Sequence, residues 1–377
     1  MNFFNLGALR NRDEVNELCV KESARCEQEV KIGPWRADLK CGDVYVEVEH
    51  AERLACGVGQ ALLWRVAGGV EVVLLLYGNG EAERAKTASL LVPVIYIDVE
   101  LKIVNIWAVQ VVAFLSASGG VGKTTIAAHL AHKFLSEGKK VLLIDLDPSA
   151  GLSTALLGEA GVAQLEEKRR TVGDALLKFL RGESVELVDY VTAAKLGIYR
   201  VDLVPSGDSL SDAMGLAWFS GNRPSPERLL RLFLEKSGTS GWDVVILDTL
   251  PFYERRYTLT AFYAADKIIV VTHPYGAEPF RVKRMYNKLA EMVTTGIDIK
   301  ARVLINRVDS RTTEGREAFK IVEKSLNLPR FQTIISQRVA YSRVPAMGYL
   351  KEDDARKEVE SLYREIKEWL NVELSLY

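Results

Sequence analysis

At 377 residues, with 48% hydrophobic and 26% charged content, the chain is long enough for two domains and too apolar to be disordered. A net charge of −1 by itself favours neither nucleic acid nor a membrane surface, and the two segments differ mildly: residues 1–107 carry 12 Lys/Arg against 16 Asp/Glu, the rest 37 against 34. The longest apolar runs, 70–77 and 109–115, are too short to span a bilayer, and the N-terminus lacks the apolar stretch of a signal peptide, so a cytoplasmic protein is expected.

Taking the elements in order, Asn11 or Asp13 caps a predicted helix that runs to about Val30, with Val15, Leu18, Cys19, Cys26 and Val30 along one face. After Gly33-Pro34, the segment WRADLKCGDVYVEVEH reads as a hairpin in which Val44, Val46 and Val48 alternate with Tyr45, Glu47 and Glu49. A two-residue turn at Cys41-Gly42 pairs Asp38 with Tyr45 and Arg36 with Glu47, and sets Asp38, Glu47 and Glu49 on one face. A helix, ERLACGVGQALLWRV, and two apolar strands, VEVVLLLYG and VPVIYIDVEL, follow. All four cysteines, Cys19, Cys26, Cys41 and Cys56, lie in this region without a CxxC pair, which leaves a metal site, disulfides or buried free thiols open.

This order of elements resembles the PD-(D/E)xK nuclease fold, a small α/β, restriction-endonuclease-like domain. By that resemblance Asp38, Glu47 and Glu49 mark a second, tentative metal site, and Gln60 matches a glutamine on the family's helix. The family's lysine position is Glu49, however, and the arginine across the hairpin is no base. The resemblance therefore implies a module that binds metal or nucleic acid with cleavage lost or altered. The alternative is a solvated acidic face.

No Gly/Ser- or Pro-rich linker marks a boundary, and the change of pattern near 105–108 divides the chain into domains 1–107 and 108–377. From Val109 strands and helices alternate, the signature of a doubly wound, mostly parallel sheet. The first of these strands feeds FLSASGGVGKTTI. Gly119, Gly120 and Gly122, around Val121, let the backbone curl about an anion, and the helix opening at Lys123, Thr124 and Thr125 adds positive potential. Lys123 carries charge suited to β- and γ-phosphates, and Thr124 a hydroxyl suited to Mg²⁺. Ala117 stands where the general P-loop has its first glycine, so the match is to GGxGKTT. That variant resembles the deviant P-loop of the ParA/MinD family of partitioning and positioning ATPases. In the family a second lysine precedes the glycine pair and reaches the partner subunit's nucleotide; here the position is Ser118.

Downstream, VLLIDLDPSAGLS ends a buried strand with Asp145 and Asp147, and GWDVVILDTLP ends another with Asp248, the Walker B pattern. Between them, 158–192 reads as a helical excursion whose EEKRR run is a solvated face. The family resemblance places Asp145 and Asp248 with Thr124 around Mg²⁺, has Asp147 orient the attacking water, and gives Asn306, at the end of ARVLINRVD, the adenine edge. Arg307 then stacks on the base or reaches a partner subunit. It also implies ATP and Mg²⁺ as cofactors, an ATP-dependent homodimer, non-specific DNA, and a partner protein that stimulates a slow hydrolysis for which Lys123 and Asp147 are the catalytic residues. Hydrolysis is expected to be very slow unless Arg307 or a partner supplies the cation absent at Ser118. Arg281, Arg284 and Lys288 share one predicted helix face, suited either to phosphate contacts or to solvent. The closing helix, 353–370, carries Val359, Leu362, Ile366 and Leu370 on one side, a stripe for the sheet and not for a membrane.

Overall fold

A computed structural model describes residues 26–32, 34–41, 44–67, 71–78, 94–98, 103–107, 109–219, 226–239, 241–292, 300–326, 328–342 and 353–372. The chain divides into two compact units, Met1–Val109 with Glu368–Tyr377, and Gln110–Lys367. No helix among the described residues is long and apolar enough to cross a membrane.

The first unit holds a six-stranded sheet in sequence order: β1 (Cys26–Ile32), β2 (Trp35–Cys41), β3 (Val44–His50), β4 (Glu71–Gly78), β5 (Val94–Asp98) and β6 (Ile103–Trp107). Strands β1, β2 and β3 form an antiparallel meander; helix α1 (Leu54–Ala67) then crosses over so that β4 runs parallel to β3 and β5 parallel to β4, before β6 turns back. Val58, Ala61 and Trp64 of α1 pack with Leu74, Leu76 and Val94 of the sheet. Gly57 permits the close approach, since a Cβ there would stand 2.7 Å from Leu74 Cδ1.

Two expectations are corrected here. The N-terminal helix does not reach Val30, because 26–32 is strand β1, paired in register with β2; its earlier residues, Cys19 among them, lie outside the described residues. Strands β2 and β3 pair with Cys41 opposite Val44 and Leu39 opposite Val46, so Tyr45 faces Lys40 and not Asp38. Arg36 does not face Glu47 either; it pairs with Lys31 in register and forms an ion pair with Glu29 at 2.9 Å. Period-two alternation is identical in both registers and so does not decide between them. The backbones of Cys26 and Cys41 are register partners, and Cys56 is a free, exposed thiol.

The second unit is an eight-stranded sheet, order β14-β13-β12-β7-β11-β8-β10-β9. Its strands are β7 (Gln110–Leu115), β8 (Val141–Leu146), β9 (Thr192–Leu196), β10 (Tyr199–Val204), β11 (Val244–Thr249), β12 (Lys267–Thr272), β13 (Ala301–Val308) and β14 (Arg330–Ser336). Only β9 runs antiparallel to its neighbour. Every residue of β8, β11 and β12 is buried, as continuous Val/Ile/Leu runs demand when helices cover both faces. The helices are α2 (Lys123–Ser136), α3 (Gly151–Leu157), α4 (Glu159–Glu167), α5 (Val172–Leu180), α6 (Ser209–Phe219), α7 (Leu229–Ser237), α8 (Arg255–Ala264), α9 (Glu278–Met292), α10 (Ala318–Leu326) and α11 (Asp353–Val372), with a single turn, Thr313–Arg316, before α10. The EEKRR run is more than a solvated face: Glu166 accepts from the Asp208 amide at 3.0 Å, and Arg170 donates to the carbonyls of Asp189 and Val191. In α11, Val359, Leu362, Ile366 and Leu370 are all buried.

A candidate nucleotide site at the strand ends

Central strand β7 delivers the glycine loop to the carboxyl edge of the sheet. Gly120 and Gly122 have φ of 76° and 89°, a left-handed backbone open to glycine. Gly122 is further constrained, because a Cβ there would lie 2.4 Å from Asn306 Nδ2. That amide comes from the end of β13 and donates to the Val121 carbonyl at 2.7 Å. Arg307, next along and at φ 56°, donates to the Gly120 carbonyl. Asn306 and Arg307 therefore sit on the loop itself, joined to it by strand order and not by sequence.

The buried ammonium of Lys123 donates to Asp248 Oδ1 at 2.6 Å and to the Thr249 carbonyl, and Thr124 Oγ1 donates to Asp248 Oδ2 at 2.6 Å. Thr249 returns a hydrogen bond from Oγ1 to the Phe114 carbonyl at 2.7 Å, tying the ends of β11 and β7 together. Asp248 is the register neighbour of Asp145 on β8. Asp145 is fully buried and accepts from the Ser153 amide at 2.9 Å, the Ser153 hydroxyl at 2.7 Å and the Asp147 amide at 3.1 Å. Burial first, and then the Asp248 charge, push its carboxyl up to about 7 against the opposing pull of these hydrogen bonds. Asp147 is partly exposed and accepts from the Ser149 amide at 2.9 Å, which shapes the turn into α3. Thr125, also partly exposed, lies in the first turn of α2.

These residues fit a nucleoside triphosphate with a hard divalent cation. Two positive-φ glycines curl the loop, one of them closed to any side chain; one hydroxyl and two adjacent carboxylates form an all-oxygen donor set; and two neighbouring buried acids are left with a single lysine. Asp38, Glu47 and Glu49 belong to the other unit. All three are buried; Asp38 Oδ2 accepts from the Val48 amide at 2.7 Å, and Glu49 lies 3.7 Å from Arg53. Among the described residues no group of three or more His, Cys, Asp or Glu side chains is close enough to hold a metal ion. Gln60 is exposed on α1.

Sequence reasoning missed Glu278. It opens α9, is 1% exposed, and accepts from Ser118 Oγ; Arg281 Nη1 in turn donates to Ser118 Oγ at 3.1 Å. No local motif marks Glu278, which lies 160 residues from its partner.

A glycine loop between a central parallel strand and a helix, facing acids at two neighbouring strand ends, defines a P-loop nucleotide-binding domain of the α/β class. The AAA domain family matches residues 109–297. The chain is 30% identical over 253 residues to a virulence plasmid ParA family protein, pGP5-D, of Chlamydia muridarum, covering 66% of this chain and 85% of that one. It is likewise 30% identical over 249 residues to the chromosome-partitioning ATPase Soj of Thermus thermophilus, covering 64% and 86%. Among solved structures, apo McdA from Cyanothece superposes with a TM-score of 0.55 at 24% identity, over 70% of this chain and 99% of that one. A Borrelia burgdorferi plasmid partition protein bound to AMPPNP superposes with a TM-score of 0.54 at 19% identity, over 69% and 99%. The chain belongs to the ParA family of P-loop ATPases.

Proposed function

We propose that this protein is an ATP-dependent molecular switch acting in the cytoplasm: Mg-ATP brings two copies together, the dimer holds DNA or a partner protein, and slow hydrolysis, quickened by a partner, releases it. The observation that carries this reading is the convergence of Lys123, Thr124, Asp248 and Asp145, from three strand ends, on one glycine loop. Bound Mg²⁺ supplies positive charge beside the phosphates and relieves the paired acids. The chain's own residues do the rest. Lys123 and the amides of Gly119–Thr125 bind phosphate, Thr124, Asp145 and Asp248 hold the cation, Asp147 orients a water, and Asn306 and Arg307 set the floor of the base site. Ser118, which carries no charge, leaves the loop one cation short and makes intrinsic turnover slow.

Lys123→Ala is expected to abolish Mg-ATP binding in titration calorimetry. Tight binding by that variant refutes the P-loop reading.

A second reading is favoured by one arrangement in the first unit: an antiparallel meander, a helical crossover to a parallel strand, and Asp38, Glu47 and Glu49 buried on the two adjoining strands. We propose that this unit is a nuclease-like scaffold that contacts nucleic acid without cutting it, since Glu49 stands where an ammonium would be needed. Robust Mg²⁺- or Mn²⁺-dependent DNA cleavage that disappears in Asp38→Ala would overturn this.

A further inference from the structure

Ser118 precedes the first glycine of the loop, and its hydroxyl is held from two sides. It donates to Glu278 Oε2 and accepts from Arg281 Nη1 at 3.1 Å, while the guanidinium lies 3.7 Å from the same carboxylate oxygen. Glu278 is almost wholly buried, and its Oε1 has no hydrogen-bond partner among the described residues. The carboxylate lies at the N-terminus of α9, where the helix dipole favours negative charge, but a buried anion beside a phosphate loop repels the ligand the loop is built for. Arg281 offsets that repulsion. Its side chain is 59% exposed and uses one donor on Ser118, so the remaining guanidinium N–H groups are open to an incoming anion. The loop's other cations are engaged, Lys123 with Asp248 and the Thr249 carbonyl, Arg307 with the Gly120 carbonyl.

We propose that Arg281 contacts the terminal phosphate of a nucleoside triphosphate on this loop, with Ser118 and Glu278 as the residues that position it. This rests on the nucleotide reading above and adds what it lacks: a cation, brought from α9, at the place where the loop itself offers only a hydroxyl. The contact exists only when a third phosphate is present, so Arg281 distinguishes triphosphate from diphosphate. A charge-assisted guanidinium–phosphate hydrogen bond is worth about tenfold or more in affinity.

The test is a comparison of Mg-ATPγS and Mg-ADP affinities, by calorimetry, in the full chain. Arg281→Ala should weaken Mg-ATPγS about tenfold or more and Mg-ADP less than about twofold. Because that variant leaves the Glu278 carboxylate without its cation, Arg281→Ala/Glu278→Gln, which removes both charges, is measured beside it and should show the same selective loss with an unchanged melting temperature. Lys283→Ala, an exposed cation on the same helix, controls for net charge and should alter neither affinity. Equal weakening toward both nucleotides, or no weakening in a protein whose parent binds both, refutes the role of Arg281 and leaves the P-loop reading intact. A parent protein that binds neither nucleotide refutes both.

Discussion

His129 sits on the buried side of α2, 4% exposed, edge-on to the Tyr341 ring with centroids 5.5 Å apart. Its Nε2 has no hydrogen-bond partner among the described residues, and burial lowers its pKa from 6.5 to about 4. The sign of the consequence follows from linkage: below pH 6.5 the unfolded chain binds a proton that the folded chain refuses until about pH 4. Stability is therefore complete above pH 6.5 and falls as pH drops toward 4, by about 3 kcal/mol in all. Urea unfolding at pH 7.5 and pH 5 should show this loss, and His129→Phe should remove its share of it; an unchanged difference in the variant refutes the assignment.

At the scale of elements, the edge strand β14 raises a problem that α11 solves. An exposed edge offers unpaired amides to other chains. Here the amides of Gln332 and Thr333 both donate to Glu365 at 2.7 Å, and the Ser336 amide donates to Glu358 at 2.8 Å. Glu358 also receives the Ser336 and Tyr341 hydroxyls, each at 2.7 Å. Two acidic residues of α11, Glu358 and Glu365, therefore cover the sheet edge. Glu365→Ala should cost about 1–2 kcal/mol and accelerate amide exchange at Gln332 and Thr333. Exchange at the wild-type rate would show that the carboxylate does not protect the edge.

At the scale of the whole molecule, ligand binding and stability are one equilibrium. A ligand that binds only the folded chain, at a hundred times its dissociation constant, adds about 2.7 kcal/mol. Saturating Mg-ATP should therefore raise the melting temperature of the parent by several degrees and leave that of Lys123→Ala where it was. The starting stability of the variant is itself expected to be lower, because Asp248 keeps a buried charge whose partner is gone. The shift with nucleotide, not the baseline, is the quantity that reports on binding.

Much of the site was legible in the residues themselves. Four apolar residues followed by an acid read as a buried strand with a carboxylate at its end, which is where Asp145 and Asp248 stand. Gly120 and Gly122 in a strand-to-helix turn read as an anion cradle, and both have the backbone that this requires. Such patterns are local: hydrophobic period and glycine content act within a few residues and survive in any fold. The tertiary structure alone decided three other matters. The hairpin register, with Lys40 and not Asp38 opposite Tyr45, is a choice to which the Val44, Val46, Val48 alternation is blind. The seating of Asn306 on Val121 followed from strand order, which brings the ends of β13 and β7 to one edge of the sheet. The clasp of Ser118, Glu278 and Arg281 joins a loop to a helix start 160 residues away, and a hydrogen bond of that kind leaves no trace in composition or spacing, because its geometry exists only once the sheet has placed both ends together.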